Sequence, residues 1–428
     1  MNIQKLAKCL KEFTLDEIEI IAECDCKTEL ERLLNEGKIV FGQGLYKYQE
    51  EKPKQEFIIC TKQATNFQVI TFDFATNYFL ENYPVIETEM IDCMKYISKT
   101  LEKLTTGAYR EMAKKAPKLW GKVYSGSEKG LLSKISKDSN KLMAKKLLKL
   151  IQEKDPDYII STHPFSSQMV SFLKKKGLLN CKLATIMTDF AMHKQWLIGH
   201  EYTNLFFVSN DSMKQDLVIY GVDENKIHVT GIPMSSRFFE SFDKNKIYEM
   251  FNLNPNKKVI LFFGGGEFGL GKERTVAVLK AFLEKVPNYQ IVAAAGKNEK
   301  MKEAFEDLVK EYHAQDRVRV LGFTDKVPEL MHIASIVVSK PGGLTTTETL
   351  ACELPMIVIN PIPGQEEENA EFLEQKGAGI WIRAKDNPNE ILISLFQDKE
   401  KLENMKKNAK LLAKKNSTKE ICELILKN

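Results

Sequence analysis

The sequence predicts an α/β protein: two parallel-sheet units behind a small, separate N-terminal module. Three observations carry this expectation. Short apolar runs alternate with helical patterns from about residue 57 onward. Glycine-rich turns follow such runs directly, as at Gly264-Gly265-Gly266 and Gly342-Gly343. Residues 1–50 have a different rhythm, helical stretches and then a hairpin pattern. A chain of 428 residues also exceeds what one core usually holds.

In the first module, helical periodicity runs through Ile3–Phe13, Leu15–Cys24 and Lys27–Glu36. Short strands are expected at Lys38–Phe41 and Leu45–Tyr48, turned at Gly42-Gln43-Gly44. This is the outline of a small winged-helix-like unit. Its third helical stretch mixes Lys27 and Arg32 with Glu29, Glu31 and Glu36, which argues against nucleic acid as a partner. A docking or regulatory module is the favoured reading. Glu51–Gln55 is a linker by composition.

Beyond the linker, strands are expected at Phe57–Thr61, Glu87–Ile91, Tyr158–Ser161, Leu183–Met187, Leu205–Ser209 and Lys226–Thr230. Helices are expected over Asp73–Asn82, Met94–Leu104, 108–152 and Val170–Lys176. After a joining stretch at 232–256, a second series follows: Val259–Phe263, Tyr289–Ala294, Val318–Leu321, Ile336–Ser339 and Met356–Ile359. A final helix is read over Lys399–Leu426. The domains are therefore drawn at 1–50, 55–233 and 234–428.

Composition is that of an ordinary folded chain, 43% hydrophobic and 28% charged, with a net charge of +4. No run of ~20 apolar residues and no apolar signal core is present, so a cytoplasmic protein is expected. The eight cysteines lack metal-ligand spacing, which points to free thiols and no metal site. Residues 132–154 form a lysine-rich amphipathic pattern that includes Lys141, Lys145 and Lys146. It reads either as a solvated face over a core stripe or as a surface held on anionic lipid headgroups.

The most informative stretch runs from Ser339 to Phe372, SKPGGLTTTETLACELPMIVINPIPGQEEENAEF. A buried strand ends at Ser339, Gly342 and Gly343 make a turn, and a helix is expected to open at about Thr345. Free N–H groups at such a helix start favour a phosphate. Glu348 lies about one turn further in, where a carboxylate can take two vicinal ribose hydroxyls. Lys340 stands beside the turn, with a solvated surface lysine as the plain alternative. Val259–Phe263 followed by Gly264, Gly265, Gly266 and Glu267 repeats the strand–glycine-loop geometry. The combination fits a nucleoside diphosphate.

The same stretch resembles the donor-site signature of family 28 glycosyltransferases, above all the diacylglycerol glucosyltransferases and monogalactosyldiacylglycerol synthases. The resemblance implies the GT-B architecture, two doubly wound Rossmann-like domains facing a cleft. It implies that loops at Gly296-Lys297 and Phe323 border the nucleobase, that Glu348 binds the ribose, and that Gln365 and Glu366 bind the sugar hydroxyls. It implies no metal or other cofactor, only a UDP-hexose as donor substrate. Thr188-Asp189-Phe190, His193 and Trp196 match the acceptor-domain motif, and the region of Trp120 resembles the lipid-side insertion. Trp120 reads equally as a core residue or an interfacial one.

One position departs from that family. Its first strand leads into a Gly-Gly-Gly-His-type loop, and the histidine takes the acceptor's proton. Here the loop reads Thr65-Asn66-Phe67-Gln68. A glutamine amide is no general base near neutral pH. Asp189 or His193 then becomes the candidate base, each with a plain alternative: a helix cap for Asp189, a structural histidine for His193. The expected activity is inverting transfer of a hexose from a UDP-sugar to a membrane lipid such as diacylglycerol, peripherally at the inner face of the cell membrane. The alternative is a weak or inactive sugar-nucleotide sensor acting through residues 1–50.

Overall fold

A computed structural model describes residues 12–13, 39–42, 45–48, 56–61, 78–79, 81–83, 86–93, 144–264 and 271–428. The chain divides into two compact units, Met1–Gln55 and Glu56–Asn428. In the first, β1 (Glu12–Phe13), β2 (Ile39–Gly42) and β3 (Leu45–Tyr48) form an antiparallel sheet in the order β1-β3-β2. The hairpin lies where the sequence puts it, with Gly42 opposite Leu45. Glu12 and Phe13, expected at a helix end, instead pair with Lys47 and Tyr46. The rest of the expected helices of this module lie outside the described residues.

The second unit holds two six-stranded parallel sheets. One comprises β4 (Glu56–Thr61), β5 (Glu87–Asp92), β6 (Tyr158–Ser161), β7 (Lys182–Ile186), β8 (Leu205–Val208) and β9 (Ile227–Val229), in the order β5-β4-β6-β7-β8-β9. The other comprises β10 (Val259–Phe263), β11 (Gln290–Ala294), β12 (Val318–Leu321), β13 (Ala334–Ser339), β14 (Met356–Ile359) and β15 (Gly379–Ile382), in the order β12-β11-β10-β13-β14-β15. Both are doubly wound orders that reverse direction beside the first strand, and in such sheets ligands gather outside the carboxyl ends of the strands. β15 is absent from the sequence expectation. Its four residues open on Gly379 directly after Gly377-Ala378, a small-residue stretch that breaks the apolar run.

Helix α1 (Pro164–Lys175) starts well before the expected Val170, because Pro164 suits a first helical position and His163 caps it. The α-helices that follow are α2 (Asp211–Ile219), α3 (Lys244–Met250), α4 (Lys272–Lys285), α5 (Glu299–Glu311), α6 (Val327–Ile333), α7 (Gly343–Ala351), α8 (Gln365–Gln375), α9 (Pro388–Gln397), α10 (Lys399–Leu412) and α11 (Ser417–Lys427). The core of the second sheet is sealed on one face by Phe262, with edge-on contacts to Phe282 and Phe305 at 6.1 and 5.7 Å.

The single final helix of the sequence reading is two helices, α10 and α11, separated by residues 413–416. Ala413 leaves the helical conformation, and α11 restarts at Ser417. The break lets the chain turn back onto the first sheet. Ile421, Cys422 and Ile425 of α11 pack there with Tyr158, Ile160, Ile186 and Phe207. Ser417 Oγ donates to the Ile232 carbonyl at 2.9 Å. Gly231, at φ +88°, lies so near Lys414 that a Cβ would stand 2.5 Å from the lysine's own. The joining stretch and the returning stretch are therefore in contact.

Candidate active site

On the second-sheet side, β13 ends at buried Ser339, and Lys340-Pro341-Gly342 turns into α7. The helix opens at Gly343, not at Thr345. Its first backbone bond runs from Thr346 N–H to the Gly342 carbonyl at 2.9 Å. The amides of Gly343, Leu344 and Thr345 therefore have no acceptor within the helix, and this is the arrangement that receives anions. The hydroxyls of Thr347 and Thr349 fold back onto the carbonyls of Gly343 and Thr345, both at 2.7 Å. Amides, with few side-chain hydroxyls, face the turn.

Glu348 sits in the middle of α7, and its carboxyl makes no ion pair or hydrogen bond to any described residue. Burial pushes its carboxyl up to about 8. Burial likewise lowers the Lys340 ammonium, with Glu366 opposing the shift. Glu366 is raised by burial, and its Oε2 accepts the Ile362 N–H at 2.6 Å. Its Oε1 lies 3.9 Å from where a Cβ on Gly342 would stand. Lys340, Gly342 and Glu366 thus share one neighbourhood.

The other expected donor loops are met in part. Gly264 abuts the Phe305 ring, which a Cβ would approach to 1.9 Å. Its missing side chain serves core packing. Gly265, Gly266 and Glu267 lie outside the described residues. Gly296 turns the chain at φ +60°. Lys297 then sits over the Phe323 ring, 5.2 Å from its centroid. Phe323 is 71% exposed, an unusual surface ring next to a cation.

On the first-sheet side, Thr188-Asp189-Phe190 follow β7, and Asp189 is buried. Burial pushes its carboxyl up to about 7, a hydrogen bond from Gln365 pulls it down, and the charges of Glu368 and Glu366 push it up again. The Gln365 side-chain amide donates directly to Asp189 Oδ1. Ser209 Oγ holds the Asp189 carbonyl at 2.7 Å, and Asn210 Nδ2 holds that of Phe190 at 2.8 Å.

His193 is buried, and its Nδ1 accepts the Gln195 N–H at 3.3 Å to head a short 3-10 helix, Lys194–Leu197. A ring nitrogen that accepts carries no proton, so the neutral imidazole bears its proton on Nε2. His193 thus serves as the cap of that short helix. His193 takes the cap that the sequence also allowed for Asp189. His163, at the end of β6, repeats the arrangement: its Nδ1 accepts the Phe165 N–H at 3.2 Å. Trp196 corrects an expectation. Assigned to the lipid or acceptor side, it is only 3% exposed and packs with Met187, Phe206, Val208 and Met213. Indole area of that size is stabilised by the core.

The two sides meet. Asn369, absent from the sequence reading, accepts the Phe190 N–H at 2.9 Å and donates to the Pro341 carbonyl at 3.0 Å. Phe190 and Phe372 rings lie 5.0 Å apart. A Cβ on Gly343 would stand 2.1 Å from the Thr188 carbonyl oxygen. Spacing held a clue to Asn369: it lies one i, i+4 step from Gln365, on the same face of α8. Gln68, Trp120 and Lys141 lie outside the described residues. Lys145 and Lys146 are exposed on a helix over 144–154, whose Ala144, Leu147, Leu150 and Ile151 are core. The apolar stripe of that helix is thus spent on the protein's own interior.

A model of the monogalactosyldiacylglycerol (MGDG) synthase family matches residues 63–234, and one of glycosyl transferases group 1 matches residues 243–412. The processive diacylglycerol beta-glucosyltransferase of Bacillus subtilis (strain 168) is 37% identical over 287 residues, which is 67% of this chain and 73% of the relative. The protein of the same name from Staphylococcus carnosus (strain TM300) is 35% identical over 281 residues, 66% of this chain and 70% of its own length. Among solved structures, the S. aureus MnaA–UDP complex is similar at a TM-score of 0.58 and 13% identity, covering 87% of this chain and 96% of that one. Acinetobacter baumannii MurG is similar at 0.53 and 12% identity, over 87% and 100%. At such identity the structural likeness speaks to fold alone, and the fold is GT-B: two Rossmann-like domains with parallel sheets.

Proposed function

The chain belongs to the processive diacylglycerol beta-glucosyltransferase family, and we propose that it moves a hexose from a UDP-sugar to the hydroxyl of a membrane lipid such as diacylglycerol, with inversion. The observation that carries this reading is the meeting of Asp189 with Gln365 beside the open amides of α7. The diphosphate would lie on the amides of Gly343, Leu344 and Thr345, with Lys340 near by. Gln365 and Glu366 would grip the sugar hydroxyls. Asp189, with its carboxyl raised to about 7, is poised to take the acceptor proton near neutral pH. The amide dipoles would stabilise the charge that develops on the leaving diphosphate.

Among the described residues no helix is long and apolar enough to cross a membrane. Association with an anionic surface would rest on exposed lysines such as Lys145 and Lys146, each worth about 1 kcal/mol near such a surface.

The direct test is release of UDP from UDP-glucose or UDP-galactose with diacylglycerol vesicles. Release is the expected result. Failure with every common UDP-hexose, in a protein that still binds UDP, removes the enzyme reading and favours the sensor, for which Gln68 speaks. Gln68→His separates them further. A base already supplied by Asp189 leaves the rate within a few-fold, whereas a missing base gives a rise on the ~10²–10⁴-fold scale.

Glu348 yields a pH prediction. In the free protein its carboxyl is raised to about 8 and is protonated at pH 7. Ribose hydroxyls donating to it favour the ionised form, so UDP binding below pH 8 should release a proton. Affinity then rises with pH and levels off above about 8. Calorimetry in buffers of different ionisation enthalpy reads that proton. Glu348→Gln should abolish the release and weaken UDP binding by roughly 10–100-fold, the scale of a charged hydrogen bond.

A further inference from the structure

Asn369 is fully buried and uses both ends of its amide across the two domains. Its oxygen takes the Phe190 N–H, next to Asp189, at 2.9 Å. Its nitrogen gives to the carbonyl of Pro341, the residue before the α7 turn, at 3.0 Å. Ionised aspartate can accept but not donate, and leucine can do neither, so only an amide of this length satisfies both backbone groups. The same segment is held from its own domain by Ser209 and Asn210, at 2.7 and 2.8 Å. Thr188–Phe190 is therefore fixed on one side by the first sheet and on the other by α8, where Gln365 holds the Asp189 carboxyl and Asn369 alone holds the backbone.

We infer that Asn369 is a positioning residue: it sets Asp189 against the phosphate-facing turn, so that donor capture and domain closure bring base and sugar into register. This rests on the transferase reading above. Asn369 is fully buried with both ends of its amide engaged, so its loss should act through geometry.

The test compares Asn369→Leu and Asn369→Asp with the wild type in the full chain. Three quantities are measured: kcat with KM for the UDP-hexose, calorimetric UDP affinity, and hydrogen exchange of the segment containing the Phe190 amide. The expected result is a kcat lower by ~10²-fold, the scale of an ångström-size misplacement. KM and UDP affinity should stay within a few-fold. Phe190 exchange should rise in Asn369→Leu and less in Asn369→Asp, which keeps the acceptor. An unchanged kcat overturns the inference. So does a parallel fall of kcat and UDP affinity, which would mark general loss of structure. Should the wild type itself transfer no hexose, the transferase reading fails separately; unchanged Phe190 exchange would then overturn the bridging role, and accelerated exchange would uphold it.

Discussion

Asp189→Asn is expected to cut hexose transfer by ~10²–10⁴-fold, the usual worth of a general base, while making the protein more stable at alkaline pH. The two effects share one cause. The carboxyl is raised from 3.8 to about 7 by burial, so the folded protein holds its proton more tightly than the unfolded chain does. Stability therefore falls as pH rises from about 4 to about 7, and the whole penalty is present above that window. Asparagine removes it. At pH 8 the gain should be on the order of a few kcal/mol, vanishing toward pH 4. Wild-type kcat/KM should climb through pH 7 as Asp189 ionises and flatten only above about 8, once Glu348 has ionised too. Denaturant midpoints at pH 4.5 and 8, with a pH–rate profile, check both halves. A variant that keeps its activity, or that gains no stability at pH 8, contradicts the assignment.

Gly343→Ala is expected to be the most damaging of the single-methyl changes. The added Cβ would meet the Thr188 carbonyl oxygen at 2.1 Å, and that oxygen is backbone, with no rotamer to escape into. The α7 turn and the Asp189 segment must separate. Overpacking of this kind costs ~1–3 kcal/mol, and the displacement should lower transfer by ~10²-fold. Gly342→Ala is the control. Its backbone, at φ −62° and ψ 147°, is open to any residue, and its Cβ would find only Glu366 Oε1, at 3.9 Å. Stability should be unchanged there. A fall in UDP affinity in that variant alone would mean that the ligand backs directly onto Gly342.

The parallel sheets were legible because their strands are unbroken apolar runs. Val259–Phe263 is read from five residues and has those bounds in the structure. Glycine-bounded β15 and the Ala413 break were not legible, since neither carries a strong local signal. The chemical groups at 340–348 and 365–366 could be read because local spacing defines a helix start. Asn369 could not be assigned a role: its partners, Phe190 and Pro341, are 179 and 28 positions away. The packing contact of Gly264 was hidden for the same reason, as Phe305 is remote in sequence. Trp196 and His193 illustrate a further limit. A motif tells which residues recur together, whereas burial and tautomer follow from the packing around them.

The contact between Gly231 and Lys414, with Ser417 bonded to Ile232, has a mechanical consequence. The polypeptide passes between the lobes twice, and both passages lie against each other at one spot. Two well-separated straps would resist twisting; two adjacent ones act as a single pivot. Any swing of the lobes would turn about that spot, like covers bound at one corner of the spine, and would first have to break the Asn369, Gln365 and Phe190 contacts that join them.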